Sequence, residues 1–147
     1  MFETDEKKER IKQLIAEGRI KEAFDLAGIT EADFLFFMGN YASEEENHEM
    51  AENLFSQVLE IEPDNAAAWY NKGRALACLD RFDEAVSCYD EALKRDPEDS
   101  DAWLNKGIAL QNIGKHTEAL SCFRIVLKAT PEDGEAWYCK GVSLSLL

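Results

Sequence analysis

The sequence predicts an all-α fold built as a stack of antiparallel helix pairs, and three observations carry that expectation. A block of residues returns at intervals of 34 positions along the chain. Each block holds two segments whose apolar residues recur at helical spacing, separated by a short polar turn. One proline per block, at Pro63, Pro97 and Pro131, follows the second segment, where a residue without an N–H stops a helix.

The repeat is plainest from residue 66 onward. Ala66-Ala67-Ala68-Trp69-Tyr70-Asn71-Lys72-Gly73 aligns with Ser100-Asp101-Ala102-Trp103-Leu104-Asn105-Lys106-Gly107, and again with Gly134-Glu135-Ala136-Trp137-Tyr138-Cys139-Lys140-Gly141. The second segments agree at Ala85/Ala119, Cys88/Cys122, Tyr89/Phe123 and Leu93/Leu127. One block earlier, Gly39, Ala51 and Phe55 hold the same columns, but Leu35 replaces the Trp. The chain therefore divides into a degenerate unit at 32–65, full units at 66–99 and 100–133, and a lone first helix at 134–147. Residues 1–31 match more loosely: Gly18-Arg19-Ile20-Lys21-Glu22-Ala23 reads as the turn and second-helix start of a shortened pair.

Local chemistry explains each element. Trp69, Gly73 and Leu76 share one helix face. Glycine inside a helix costs about 1 kcal/mol against alanine, so its return at 39, 73, 107 and 141 points to close helix approach, with Ala51, Ala85 and Ala119 as the expected small contact. Asp64-Asn65, Asp99-Ser100 and Asp133 supply N-cap chemistry for the helix after each proline, and Thr30 does so for the unit at 32–65. A single pair cannot bury both of its apolar stripes, so stacking on neighbours must stabilise it.

Composition excludes several function classes. With 46% hydrophobic residues and 3 prolines in 147 residues the chain is no disordered tract. Its net charge of −14 repels phosphate backbones and anionic lipid, which argues against nucleic acid and membrane surfaces as partners. Residues 32–65 hold nine acidic side chains and no basic one, so most of that field arises there. No apolar run approaches a membrane span and the N-terminus lacks a signal-peptide core, so a cytoplasmic location is expected. The four cysteines form no CxxC pair and suit a reducing compartment.

The pattern W-x-x-K-G … A-x-x-x-[YF] … P at this period resembles the tetratricopeptide repeat (TPR) family. That resemblance implies a right-handed α-solenoid whose first helices line a concave groove, and a protein-binding scaffold with no enzymatic activity. Where the family usually carries Leu before the glycine, this chain has Lys72, Lys106 and Lys140. They fall nearly opposite the groove columns, with their amines expected in solvent. The groove columns collect Phe36, Tyr70, Leu104 and Tyr138, then Asn40, Arg74 and Ile108, with Asp33, Asp101 and Glu135 at the rim. Asn71 and Asn105 stand beside them. Arg74 is the one cation expected there, so the groove should favour a protein or peptide segment carrying Lys or Arg beside large apolar side chains.

Some family members grip an acidic C-terminal tail in a carboxylate clamp. That clamp would need Lys at Phe36, Asn at Asn40 and Asn71, Lys at Asp101 and Arg at Asn105; only the two asparagines match, so acidic tails are not expected. The histidines His48 and His116 share a column with Phe82 and read as turn packing, and the acidic run at 44–49 as a solvated turn and helix start. No nucleophile motif, phosphate loop or metal-ligand spacing is present, and neither cofactor nor metal is expected. The alternative function is homo-oligomerisation. The helix at 134–147 lacks a second helix over Leu146 and Leu147, which predicts a longer parent array or a homodimer through that helix.

Overall fold

A computed structural model describes residues 4–147; residues 1–3 of the expected N-terminal pair lie outside it. The described residues form nine α-helices and no strand: α1 (Asp5–Ala16), α2 (Ile20–Ala27), α3 (Glu31–Glu44), α4 (His48–Ile61), α5 (Ala66–Cys78), α6 (Phe82–Arg95), α7 (Ser100–Asn112), α8 (His116–Ala129) and α9 (Gly134–Ser145). Each helix packs on the next within a pair, and α4, α6 and α8 bridge to the following first helix. The helices α3, α5, α7 and α9 also touch in succession, which makes them the inner layer of the stack.

Helix starts follow from short polar side chains. Asn65, Asp99 and Asp133 each accept the backbone N–H three residues on, at 2.9, 3.0 and 2.9 Å. Thr30 does the same for Asp33 at 3.1 Å while its hydroxyl donates back to the Asp33 carboxylate at 2.8 Å. Each such cap contributes about 1 kcal/mol. The turn inside each pair is equally regular. The carbonyls of Leu14, Ala42, Leu76 and Leu110 accept the N–H five residues on, and the residue four on, Gly18, Glu46, Asp80 or Gly114, takes a left-handed backbone. Two of the four bridging residues are acidic side chains held at φ 58°, a conformation suited to glycine.

The tryptophans join consecutive units. The indole N–H groups of Trp69, Trp103 and Trp137 donate to the carbonyls of Pro63, Pro97 and Pro131 at 2.9, 2.9 and 2.8 Å. Each bond ties the start of one unit to the end of the unit before it, which is why Trp and Pro recur together.

Three of the helical glycines meet an aromatic ring as their nearest neighbour. A Cβ at Gly39, Gly73 or Gly107 would lie 2.7, 2.7 or 2.5 Å from the ring of Phe55, Tyr89 or Phe123 on the second helix of the same unit. At Gly39, Gly73 and Gly107 the nearest atoms belong to an aromatic ring on the second helix, and the alanine four residues before that ring is buried as well. The N-terminal pair inverts this solution. Its turn places Ile11 in the glycine column and Ala27 in the aromatic column, both buried, so the large side chain has moved from the second helix to the first.

Candidate functional site

The inner face of the stack is a chain of polar side chains bonded across units. Asn71 Nδ2 on α5 donates to Asn40 Oδ1 on α3 at 3.1 Å, and Asn105 Nδ2 on α7 donates to the Tyr70 hydroxyl at 3.1 Å and to the Asp101 carbonyl at 2.9 Å. Tyr70 is half-buried, its ring 6.0 Å from that of Tyr89, and the Arg74 guanidinium lies over its outer face at 5.9 Å. Burial pushes the Tyr70 phenol above its ordinary pKa, so it stays a neutral hydrogen-bonding group.

At the N-terminal end this face opens into a cavity of about 370 Å³ walled by α1, α3, α4 and α5. Lys8 and Lys12 come from α1, Asn40, Ser43 and Glu44 from α3, His48 from α4, and Asn71 and Arg74 from α5. Lys12 Nζ sits 2.6 Å from Glu44 Oε2 and 5.8 Å over the Tyr41 ring. Its hydrogen bond to Glu44 raises the ammonium pKa and keeps it charged. Lys8 and Arg74 are exposed. The cavity thus gathers three cations and one carboxylate on a chain whose net charge is −14.

The cations change one expectation, and the turn geometry explains why they were missed. Arg74 is not the one cation of the groove. A clamp register starting on α3 also misses α1, because the N-terminal pair is six residues shorter than a full unit. The matching turn bonds of Leu14 and Ala42 set the offset between α1 and α3 at 28 residues, not 34. Lys8 and Lys12 then fall in the columns of Phe36 and Asn40. The Gly18-Arg19-Ile20 turn was the signal that could have placed them.

The remaining groove candidates separate into three kinds. Leu104 is 9% exposed and belongs to the core with Phe123 and Val126; being shorter than the tyrosines of its column, it sinks between helices and leaves the groove. Phe36 is half-buried edge-on against Phe55 at 5.6 Å, so packing claims most of its ring, and Ile108 is half-buried at the margin of the same core as Leu104. Asp101 and Glu135 are exposed, whereas Asp33 is engaged with Thr30. Tyr138 is 73% exposed.

Lys72 and Lys106 also differ from expectation. Instead of reaching solvent, Lys106 Nζ lies 2.6 Å from Asp90 and 5.1 Å over Trp103, and Lys72 Nζ lies 3.6 Å from Glu52 and 5.9 Å over Trp69. These ammoniums hold consecutive units together. Lys140 keeps the ring contact, 4.5 Å over Trp137, but Arg124 stands where Asp90 does one unit earlier.

Other candidate chemistry is committed elsewhere. His48 and His116 are the first residues of α4 and α8, two units apart; the first lines the cavity. Burial pushes the Cys88 and Cys122 thiols up to about 11, which keeps them protonated and poorly nucleophilic at neutral pH. Among the described residues no cluster of three or more His, Cys, Asp or Glu could hold a metal ion, and no helix is long and apolar enough to cross a membrane.

Comparison with known proteins agrees with this geometry. Models of the tetratricopeptide repeat match residues 32–65, 66–99 and 88–121. Among curated protein sequences none matches. Among solved structures, MamA from Desulfovibrio magneticus RS-1 superposes with a TM-score of 0.79 at 17% identity, over 95% of this chain and 82% of that one. The second TPR domain of human RPAP3, in complex with the HSP70 peptide SGPTIEEVD, gives 0.72 at 22% identity, over 77% and 98%. The first TPR of Spaghetti (RPAP3), bound to the HSP90 peptide SRMEEVD, gives 0.76 at 22%, over 78% and 91%. At these identities the likeness establishes the fold. The tandem matches, the tryptophan–proline links and the aromatic-on-glycine packing of each unit together place the chain in the tetratricopeptide repeat family, an all-α solenoid of protein-interaction repeats.

Proposed function

We propose that residues 1–147 act as one binding array without enzymatic activity, holding an extended peptide segment along its inner face. The segment's acidic end sits in the cavity between α1 and α5. The observation that carries this reading is the convergence of Lys8, Lys12 and Arg74 on one cavity of a strongly acidic chain. Asn40 and Asn71 present side-chain amides beside them, and a carboxylate takes charge-assisted bonds from such donors. The peptides carried by the two RPAP3 domains both end in carboxylate-rich sequence. Toward α9 the surface changes character: Tyr138 offers an exposed ring, and Asp101 and Glu135 offer carboxylates for a basic residue farther along the same segment.

Fluorescence anisotropy with labelled SGPTIEEVD tests the reading. Binding should weaken with salt. Arg74→Ala should weaken it by about tenfold or more, since a hydrogen bond to a charged group contributes about 1.5–3 kcal/mol. Equal or tighter binding of a peptide with Lys in place of its acidic residues would overturn the acidic anchor. It would favour a second reading, in which the exposed Asp101 and Glu135 recruit basic segments.

A further inference from the structure

Trp69 and Trp103 stand in one column of the repeat and make the same indole bond, but their rings have different neighbours. Two cations lie over Trp69: Lys72 Nζ at 5.9 Å from the ring centroid and the Arg95 guanidinium at 5.7 Å. Arg95 is the last residue of α6, and its guanidinium is held there by Asp64 Oδ1 at 3.2 Å and Glu91 Oε2 at 2.8 Å. Among the described residues Trp103 keeps only the first cation, as Lys106. One repeat after Arg95 stands Ala129, and one repeat after Glu91 stands Ile125. The place that Arg95 fills in the unit at 66–99 is therefore an open notch of about 460 Å³ in the unit at 100–133. Trp103, Pro97 and Glu98 wall one side of it, and Ile125, Lys128 and Ala129 the other. The helix α9 already follows α8, and at Trp69 the filling group comes from that unit's own second helix. The notch thus reflects a shorter side chain at 129, not a missing helix.

We infer that the notch beside Trp103 is a recognition site for an arginine side chain of a partner protein. A guanidinium is planar and weakly hydrated, so it stacks on an indole, and it takes a carboxylate at its edge. Both partners are present: the Trp103 ring, and Glu98 in the column of Asp64. Ile125, 41% exposed, offers an apolar wall to the methylenes of the arginine stem where Glu91 stands one unit earlier. Lys128 is compatible with that occupant, because Lys94 holds the same column beside Arg95. A net charge of −14 draws a cationic segment toward the chain. An apolar side chain would use Ile125 and Ala129 but would leave Glu98 without a partner. The notch includes no residue of the cavity between α1 and α5, and neither Asp101 nor Glu135. The two readings therefore stand or fall independently.

The test is an NMR titration of the isotope-labelled chain with the end-blocked tripeptide Gly-Arg-Gly and its Lys, Leu and citrulline counterparts. The Trp103 indole N–H reports on the notch, because it donates to the carbonyl of Pro97, itself part of the wall. A saturable shift of that resonance is expected with the arginine peptide, and binding about threefold weaker or more with each of the other three. Glu98→Gln should weaken the arginine peptide by a similar factor. Ala129→Arg supplies the guanidinium from within and should abolish the response. Its far-UV spectrum should match the parent's, because residue 129 is exposed at the end of α8. The Trp69 resonance should stay still in the parent chain and begin to respond in Arg95→Ala, which clears the equivalent place. The inference is overturned by no shift at Trp103, by equal binding of the Lys or Leu peptide, or by an unchanged response in Ala129→Arg. It is also overturned if the chain alone forms a dimer that Ala129→Arg disperses, since a second copy then fills the notch.

Discussion

Gly107→Ala and Gly141→Ala are the same substitution in the same column of the repeat, and the structure expects them to have opposite signs. Both variants gain about 1 kcal/mol of helix propensity. At position 141 nothing opposes that gain, since the new methyl has no neighbour within 4 Å. At 107 the methyl would lie 2.5 Å from Phe123 Cε1 and 2.9 Å from Cζ. Phe123 is completely buried, so its ring cannot retreat toward solvent. Overpacking of this kind costs about 1–3 kcal/mol, leaving Gly107→Ala about 0–2 kcal/mol less stable than the parent. The two variants should therefore differ by about 1–3 kcal/mol, or about 3–9 °C in Tm for a chain of this length. Far-UV circular dichroism melts, run side by side, measure the difference. The N-terminal pair supplies a further check. Because Ile11 and Ala27 already occupy these columns with sizes exchanged, Gly107→Ile with Phe123→Ala should be more stable than the sum of the single changes allows. If Gly107→Ala raises Tm as much as Gly141→Ala, close ring contact is not why the repeat keeps its glycine.

Two further outcomes follow from the same geometry. Asp80→Gly and Glu46→Gly should each raise stability by about 0.5–1 kcal/mol, because glycine relieves the left-handed strain; Gly114→Ala should lower it, and urea midpoints read all three. Leu104→Ala should cost about 2–5 kcal/mol as a core truncation and act on peptide binding only through stability. Tyr70→Ala should lower Tm less while weakening peptide affinity; equal losses of Tm would place Tyr70 in the core as well.

How much of this was legible in the sequence depends on what the repetition averages. Trp69, Trp103 and Trp137 return with Pro63, Pro97 and Pro131 because one hydrogen bond is made three times, so a period alone exposes it. The helical glycines were equally visible, although period and composition pointed to alanine as their partner. Only the structure shows that a ring is the closest group to these glycines. Columns are less informative where one side chain differs in length from the others. Leu104 shares a column with Tyr70 and Tyr138, yet it sinks into the core because it lacks the reach and the hydroxyl that hold Tyr70 at the groove wall beside Asn105.

The cavity was hidden for a related reason. Its cations Lys8 and Lys12 lie on a helix whose unit is six residues short, so a fixed period of 34 passes over them. The turn hydrogen bonds restore the correspondence, since the Leu14 and Ala42 carbonyls make the same bond to Arg19 and Asn47, at 2.9 and 2.8 Å. The shortened N-terminal pair thus changes the register and also loosens the stack, since α2 lacks the close packing on α3 that α4, α6 and α8 each make on the helix that follows. Stacking depends on which residues face the core, and the exchange of Ile11 and Ala27 preserves that. Ligand chemistry depends on which residues face the groove, and there the shortened pair brings two lysines against the asparagines of α3 and α5 and against Arg74. The acidic surplus of 32–65 leaves Lys12 paired to Glu44, so the charge most available to an incoming carboxylate is that of Lys8 and Arg74, on opposite walls. A ligand bridging those walls would clamp α1 to α5 across α3. It would therefore stabilise the N-terminal pair most, the part of the array that departs furthest from the repeat.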